Sequence, residues 1–347
     1  MTTRGKVAVL GAIALVAVGA FFLMGNKGGI PVVGGIFDPE PTTCPLSGIE
    51  PQRAAALERS AVAIKVENAP VAYPLSGLED AEVVYEELVE GGVTRFLALY
   101  HCSDSDKVGP VRSARIVDPA IMTPATRILA FSGANKHVLD ALDAAEIVQL
   151  DEDNSGGALA RVPRAGIGFE HTLYGDISEL RKVARESFDD APPAEAYSFG
   201  EISNEGTRRA AAVVIDFSGV TSIRYEWDGE RWLRYQAGQP FMAESGEQIA
   251  VENVLIEEHE VNLSGSITDV SGNPSVEIGD VTGQGKAVLL RDGRRINGRW
   301  VRESVEGAVK FQTKDDEELL FAPGSIWVHL VPNQSGELKG SFSVERN

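Results

Sequence analysis

The stretch VVYEELVEGGVTRFLALYHC, residues 83–102, decides the fold class of this 347-residue chain. The residues before Gly91 form a run so short that its pattern is compatible with a helix or with a strand. Gly91 and Gly92 then break the run, which favours a strand. A second run rich in aliphatic and aromatic residues then begins at Thr94. We therefore expect two strands, over 82–90 and 94–102, with the glycine pair between them.

Strands and helices alternate on either side of this stretch. Upstream, AVAIKVENAP (61–70) is typical of a strand that ends in a turn. Downstream, the predicted elements are a helix over 112–122 that opens after Pro110, a strand over 127–132 and a helix over 135–147. Such alternation predicts an α/β layered N-terminal domain over 44–195, with a mixed or parallel sheet.

The second half has a different character. IRYEWDGERWLRYQ (223–236) and AVLLRDGRRINGRW (287–300) each place an Asp-Gly pair between strand-like runs, which predicts two hairpins. Helical patterns are nearly absent after Gly219. We expect a β-rich C-terminal domain over 205–347, so that the fold is α+β overall.

The aromatic residues around the first Asp-Gly pair have two interpretations. Alternate residues of a strand share a face, so Tyr225 and Trp227 fit an exposed platform for a sugar ring or a partner protein. Trp232 and Tyr235 follow on the next strand. The pattern favours the other interpretation, in which these residues fill a sandwich core.

An apolar run stands near the amino end. Arg4 and Lys6 precede 18 uncharged residues over 7–24, the lower limit for crossing a bilayer. No small-x-small cleavage site follows, although a cleaved signal peptide is the alternative. We expect a signal anchor over 1–25 that contacts the cell membrane as a single-pass helix, a flexible stalk over 26–43, and an extracytoplasmic body.

Composition restricts the partners. Asp and Glu number 51 against 32 Lys and Arg, a net charge of -19. Phosphate-backbone binding depends on basic residues, so nucleic acid is excluded as the expected partner. No spacing typical of a metal or cofactor site is present, and we expect neither metal nor cofactor.

The chain has two cysteines, Cys44 and Cys102. In an exported protein such a pair can form a disulfide, here between the entry of the first domain and the end of a predicted strand. Two free thiols are the alternative.

The heptapeptide GPVRSAR (109–115) concentrates positive charge in this acidic chain. On the predicted helix, Arg112 and Arg115 share a face in the first turn, where free N–H groups favour an anion. Ser113 adds a hydroxyl. The segment thus predicts a clamp for phosphate or carboxylate. Neutralisation of the guanidiniums by internal carboxylates is the alternative.

Several phrases together resemble a known family. AIKVENAPVAYPLSGLEDAEVVYEELVEGGVTRFLALY (63–100) and KVGPVRSAR (107–115) resemble the YerB-like family of bacterial exported, often lipid-anchored proteins, whose biochemical function is not established. VENVLI, NGRW and SIWVHLV extend the resemblance into the second half. It implies a two-domain envelope protein and no catalytic residues. This chain has no cysteine directly after the apolar run, so lipidation is not carried over.

We therefore predict a membrane-anchored extracytoplasmic protein that binds an anionic envelope ligand or a protein partner. The predicted contacts are Arg112, Ser113 and Arg115, with Arg95 and Asn68 nearby and with Glu86, Glu90 and Asp118 orienting the guanidiniums.

Two alternatives stay open. The first is a hydrolase or transferase acting on envelope polymers, with Glu86 or Glu90 as general base. The second is a scaffold in which the arginines only hold the fold. His137 and His171 lack catalytic spacing and suit structural roles.

Overall fold

The computed structural model describes residues 42–186, 188, 191–194, 196–269, 272–279 and 281–346. The predicted anchor over 1–25, and the predicted stalk up to residue 41, lie outside these residues. In the part of the chain that is described, no helix has the length and apolarity needed to cross a membrane.

The first half contains short helices between strands. Its strands are β1 (Val62–Glu67), β2 (Val83–Leu88), β3 (Thr94–Tyr100), β4 (Ile128–Ala130), β5 (Val148–Leu150), β6 (Leu159–Arg161) and β7 (Leu173–Gly175). Its helices are α1 (Asp118–Met122), α2 (Lys136–Ala144) and α3 (Ile177–Arg185). Short 3-10 helices cover Ala54–Ala56, Pro70–Ala72, Leu78–Asp80, Glu90–Gly92 and Phe169–His171.

The described residues of the second half contain strands and no helix. They are β8 (Ser198–Phe199), β9 (Arg208–Arg209), β10 (Ala212–Asp216), β11 (Ser222–Trp227), β12 (Trp232–Gln236), β13 (Gln239–Pro240), β14 (Ala250–Val251), β15 (Asn253–His259), β16 (Val261–Thr268), β17 (Pro274–Ile278), β18 (Gly283–Arg291), β19 (Arg294–Arg302), β20 (Lys310–Thr313), β21 (Leu320–Phe321), β22 (Ile326–Pro332) and β23 (Ser341–Glu345).

One mixed sheet of 11 strands takes members from both halves. Its order is β20-β19-β18-β15-β22-β2-β3-β1-β4-β5, with β9 also paired to β19. The halves meet where β2 pairs in parallel with β22, with Val83 opposite Ile326. Residues 41–347 accordingly form one compact unit.

The sheet is covered on both faces, because successive side chains of a strand point to opposite sides. On one face Phe96 and Trp327 belong to the same core as Tyr225, which lies in a second sheet of six strands. On the other face Leu97 belongs to a core shared with Met122 of α1 and with α2. The side chain of a polar residue in these central strands is therefore buried in one of the two cores.

The predicted α+β fold class is confirmed, together with the strands and hairpins named above. The stretch over 83–102 folds as β2 and β3, and both glycines between them have φ of 77°. The Asp-Gly pairs lie in the β11–β12 and β18–β19 hairpins. Asp292 and Gly293 have φ of 50° and 62°, as a type I′ turn requires.

Tyr225 and Trp232 of the first hairpin belong to the core and Trp227 packs against it, as the pattern favours. Tyr225 and Trp232 are fully buried, while Trp227 and Tyr235 are partly buried.

The predicted helix over 112–122 is wrong in its first half. α1 covers only Asp118–Met122, and Arg112 and Arg115 lie before it in irregular chain. The two arginines therefore share no helix face, and no helix N-terminus holds an anion between them. The physical reason lies in the backbone pairing of the preceding residues.

Candidate functional site

The chain over 108–112 lies beside β1 in an extended conformation. The Arg112 N–H donates to the Lys65 carbonyl at 2.9 Å, and Val111 donates to Leu173 of β7 at 2.7 Å. A Cβ on Gly109, whose φ is 152°, would lie 2.8 Å from the Leu173 carbonyl oxygen. Glycine at this position therefore lets β7 approach closely. These bonds place Arg112 at the end of β1.

Arg95 lies between two glutamates on the neighbouring strands. The sheet register sets it opposite Glu67 of β1 and opposite Glu87 of β2, so all three side chains leave the same face. Its Nη1 donates to the Ser113 carbonyl at 3.1 Å. Arg95 thus connects the end of the sheet to the arginine-bearing segment.

We call Arg95, Arg112, Arg115, Glu67 and Glu90 the arginine site. Arg115 forms an ion pair with Glu90, and Arg112 Nε lies 3.8 Å from Glu67 Oε2. Among the described residues no carboxylate lies within salt-bridge distance of Arg95. Three guanidiniums therefore share two carboxylates.

His171 reduces the negative charge available to these arginines. Its Nδ1 lies 2.8 Å from Glu67 Oε2, so the Glu67 carboxylate interacts with both the imidazole and the Arg112 guanidinium. Burial raises the pKa of Glu67, although His171 and Arg112 oppose that shift. Burial, together with the charges of Arg115 and Arg112, lowers the pKa of Arg95 to about 9. The Arg95 charge is poorly compensated, and an added anion would relieve it.

One edge of the arginine site is open to solvent. The side chain of Arg112 is 28% exposed, against 15% for Arg115 and 7% for Glu90. The Arg112 Nη1 also donates to the Glu170 carbonyl at 2.9 Å. A ligand would therefore approach Arg112 first.

A buried triad lies on the same face of the sheet. Lys65 is fully buried and forms ion pairs with Glu87 and, at 2.6 Å, with Asp118. Burial and the neighbouring Asp118 charge raise the pKa of Glu87 to about 7, although Lys65 opposes this. Two carboxylates around one ammonium favour retention of a proton. Asp118 thus neutralises Lys65 instead of orienting an arginine side chain.

Glu87→Gln is expected to stabilise the protein relative to wild type as pH rises. A raised folded pKa means that the stabilising contribution of protonated Glu87 is present below about pH 4.5 and is lost as pH rises through about 7. Melting temperatures of both proteins between pH 5 and 8 measure this, with the exposed Glu58→Gln as control. A wild-type-to-variant difference that stays constant with pH would contradict it.

Asn68 and Glu86 lie on the opposite face of the sheet, so the prediction that they support the arginine site is wrong. Glu86 is fully buried and accepts from Arg234 of β12 at 2.8 and 3.0 Å. Asn68 donates to Thr94 at 2.7 Å and to Gln236 at 3.2 Å. The two residues therefore belong to a polar network between the halves of the chain.

The remaining candidates have local partners. The Ser113 hydroxyl donates to the Ser132 carbonyl at 3.2 Å. His137 is exposed on α2. Cys44 and Cys102 form a disulfide with a Cα–Cα distance of 6.1 Å. The adjoining Glu82 carboxylate accepts from the backbone N–H groups of His101 and Cys102 at 2.5 and 2.6 Å.

Sequence reasoning missed Lys65, Glu67 and Arg234. Lys65 and Glu67 interrupt the apolar run of β1, and a charged residue inside a buried strand signals an internal ion pair. Arg234 gave a weaker signal, since it stands in a strand with polar and aromatic residues on both sides.

Comparisons with known proteins agree with this fold. A family model described as "Protein of unknown function (DUF3048) N-terminal domain" matches residues 46–190, and the corresponding C-terminal domain matches 213–328. The chain is 28% identical over 299 residues to "Putative lipoprotein YerB" of Bacillus subtilis (strain 168), covering 83% of this chain and 86% of that protein. The crystal structure of YerB from Bacillus subtilis superposes with a TM-score of 0.70 at 27% identity, covering 87% of this chain and 99% of that one.

Proposed function

The chain belongs to the DUF3048 family, shared with YerB, and we propose that it binds an anionic ligand of the cell envelope at the arginine site. The observation that carries the proposal is the charge balance around Arg95. It is half-buried between Arg112 and Arg115, and no described carboxylate lies within salt-bridge distance of it. Guanidinium groups of this kind bind phosphate and carboxylate with paired hydrogen bonds.

The proposal includes a location outside the cytoplasm at the membrane. The named relative is called a lipoprotein, which implies export and membrane association for that protein. This chain has an apolar run over 7–24 after Arg4 and Lys6, and it lacks a cysteine directly behind that run. We therefore propose that the run itself remains as a single-pass anchor and that the body is exported.

Binding is favoured over the enzymatic alternative by the state of the two candidate bases. Glu86 has no exposed surface and is held by Arg234. Burial alone raises its pKa, but Arg234 and His329 outweigh burial and lower it to about 2, which disfavours proton abstraction. Glu90 is already bonded to Arg115.

Arg112→Ala is expected to weaken anion binding by about 10- to 100-fold, the effect of losing a charged hydrogen bond of roughly 1.5–3 kcal/mol. Glu90→Gln is expected to strengthen binding, because it releases Arg115. The full chain, held in an uncharged polyoxyethylene detergent, is titrated with inorganic phosphate and with succinate. Affinity is read from the rise in melting temperature with anion concentration.

Arg53→Ala serves as the control, because Arg53 is an exposed arginine near the disulfide. Its response to both anions should equal that of wild type. The proposal fails if neither anion stabilises wild type, or if Arg112→Ala responds as wild type does. A Glu90→Gln protein that binds normally yet loses a turnover activity would favour the enzyme.

A further inference from the structure

An exposed aromatic ring lies beside the arginine site. Phe169 is 70% exposed, although most large apolar side chains of the described fold are buried. It belongs to the short 3-10 helix Phe169–His171, which joins β6 and β7. A single exposed apolar residue is ordinary on a protein surface, so its surroundings decide whether it has a role.

The surroundings hold the Phe169 ring in place. The Arg161 guanidinium carbon lies 3.8 Å from the ring centroid, covering one face. Arg161 also donates to the Phe169 carbonyl at 2.7 Å and is fixed by Glu152 at 2.8 and 2.6 Å. The Thr172 hydroxyl donates to the same carbonyl at 2.7 Å. The ring is thus a supported platform with its remaining surface towards solvent.

The platform adjoins the arginine site through direct contacts. Arg112 Nη1 donates to the carbonyl of Glu170, the residue next to Phe169. His171, one residue further, contacts Glu67, which also lies beside Arg112. The same three-residue helix therefore presents an aromatic ring and positions the most exposed arginine of the site.

This pairing has a chemical meaning. An aromatic ring covers the apolar face of a sugar, while guanidiniums bind a carboxylate or phosphate on that sugar. The Glu170 side chain is 61% exposed and offers oxygens to hydroxyl groups. Phe169 does not line the cavities of about 510, 600 and 850 Å³, and its ring, 70% exposed, is accessible to a sugar from solvent.

We infer that the ligand of the arginine site is an anionic sugar whose ring lies on Phe169 while its acidic group contacts Arg112 and Arg95. This inference rests on the proposed function, because it names the class of anion that the arginine site holds. Phe169 contributes to the affinity for the sugar ring, and Arg112 contributes to the affinity for any anion.

The test compares two substitutions against two kinds of anion. The full chain in polyoxyethylene detergent, which carries no sugar, is titrated by calorimetry with trigalacturonate, glucose 6-phosphate and inorganic phosphate. Phe169→Ala should weaken both sugars about 3- to 10-fold, as expected for a lost aromatic contact, and leave phosphate unchanged. Arg112→Ala should weaken all three. Phe169→Tyr should retain sugar binding.

Val305→Ala is the control for removing an exposed apolar side chain. Val305 is 39% exposed and follows β19, at the edge of the sheet remote from β1. All three affinities should be unchanged. The acidic sugar that wild type binds more tightly identifies the source of the anion as a carboxylated or a phosphorylated glycan.

The possible failures are distinguishable. Unchanged sugar affinity in Phe169→Ala, with Arg112→Ala still weakening all anions, overturns the sugar assignment and leaves the proposed function standing. No effect of Arg112→Ala on any anion overturns both. Triglutamate that binds as tightly as trigalacturonate and depends equally on Phe169 would show that the site selects an acidic peptide, which also overturns the assignment.

Discussion

Glu86→Ala is expected to lower the free energy of unfolding by about 3–5 kcal/mol, because it leaves Arg234 charged and unpaired in the core. Both side chains have no exposed surface, and Arg234 also donates to Tyr225 at 2.9 Å. Urea denaturation of the full chain in detergent, followed by tryptophan fluorescence, measures the loss. Arg234→Ala should cost a similar amount, since it strands the carboxylate instead.

Two further proteins make this expectation specific. The double variant Glu86→Leu, Arg234→Met removes both charges. No buried charge then lacks a partner, so most of the stability should return. Arg224→Ala removes a partly exposed partner of Glu345 and should cost less than about 1 kcal/mol. If the double variant is as unstable as either single variant, the unpaired charge is not the cause.

The pH dependence of the same pair has a fixed sign. The pKa of Glu86 is lowered to about 2, so its stabilising contribution is present above about pH 4.5 and is lost as pH falls towards 2. Glu87, whose pKa is raised, loses its contribution in the opposite direction. The combined contribution of these two carboxyl groups is therefore expected to be largest near pH 4.5.

Replacing Cys44 and Cys102 together with serine is expected to lower the free energy of unfolding by about 4 kcal/mol. The cysteines are 58 residues apart, and the chain-entropy model gives this value for a loop of that length. The same urea titration measures the change.

Reduction provides an internal control for the disulfide. A reducing agent should destabilise wild type by the same amount and should leave the double variant unchanged. A double variant as stable as wild type would show that the bridge adds nothing to the fold.

Local patterns were enough to predict much of the architecture. The glycine pair after β2 and the two Asp-Gly turns act over a few residues, so their strands are readable from the sequence. The presence of two cysteines in a chain predicted to be exported indicated that a disulfide could form, and the structure contains this disulfide. These features depend on turn geometry and on local composition, both of which the sequence shows directly.

The arginine segment could not be placed in the same way. Its i, i+3 spacing after Pro110 suits a helix, but hydrogen bonds to Lys65 and Leu173 hold it extended. Lys65 lies 47 residues before Arg112, and Leu173 lies 62 residues after Val111. Tertiary pairing overrides local propensity here, and single-sequence reasoning has no access to that pairing.

The opposite faces of the sheet explain the other error. Glu86 and Glu87 are neighbours in the chain, yet one meets Arg234 and the other meets Lys65. Strand alternation predicts that they separate, but not which face holds the arginines. The partner that decides the matter, Arg234, is 148 residues from Glu86.

The disulfide also determines how the fold transmits mechanical tension. Cys102 follows the last residue of β3, and Arg95 stands near its start, about 23 Å away at the usual rise per residue. A pull on the chain before Cys44 passes through the sulfur bridge into β3. The component of that pull that lies along β3 loads its hydrogen bonds to β1 and β2 in shear, so these bonds share the force.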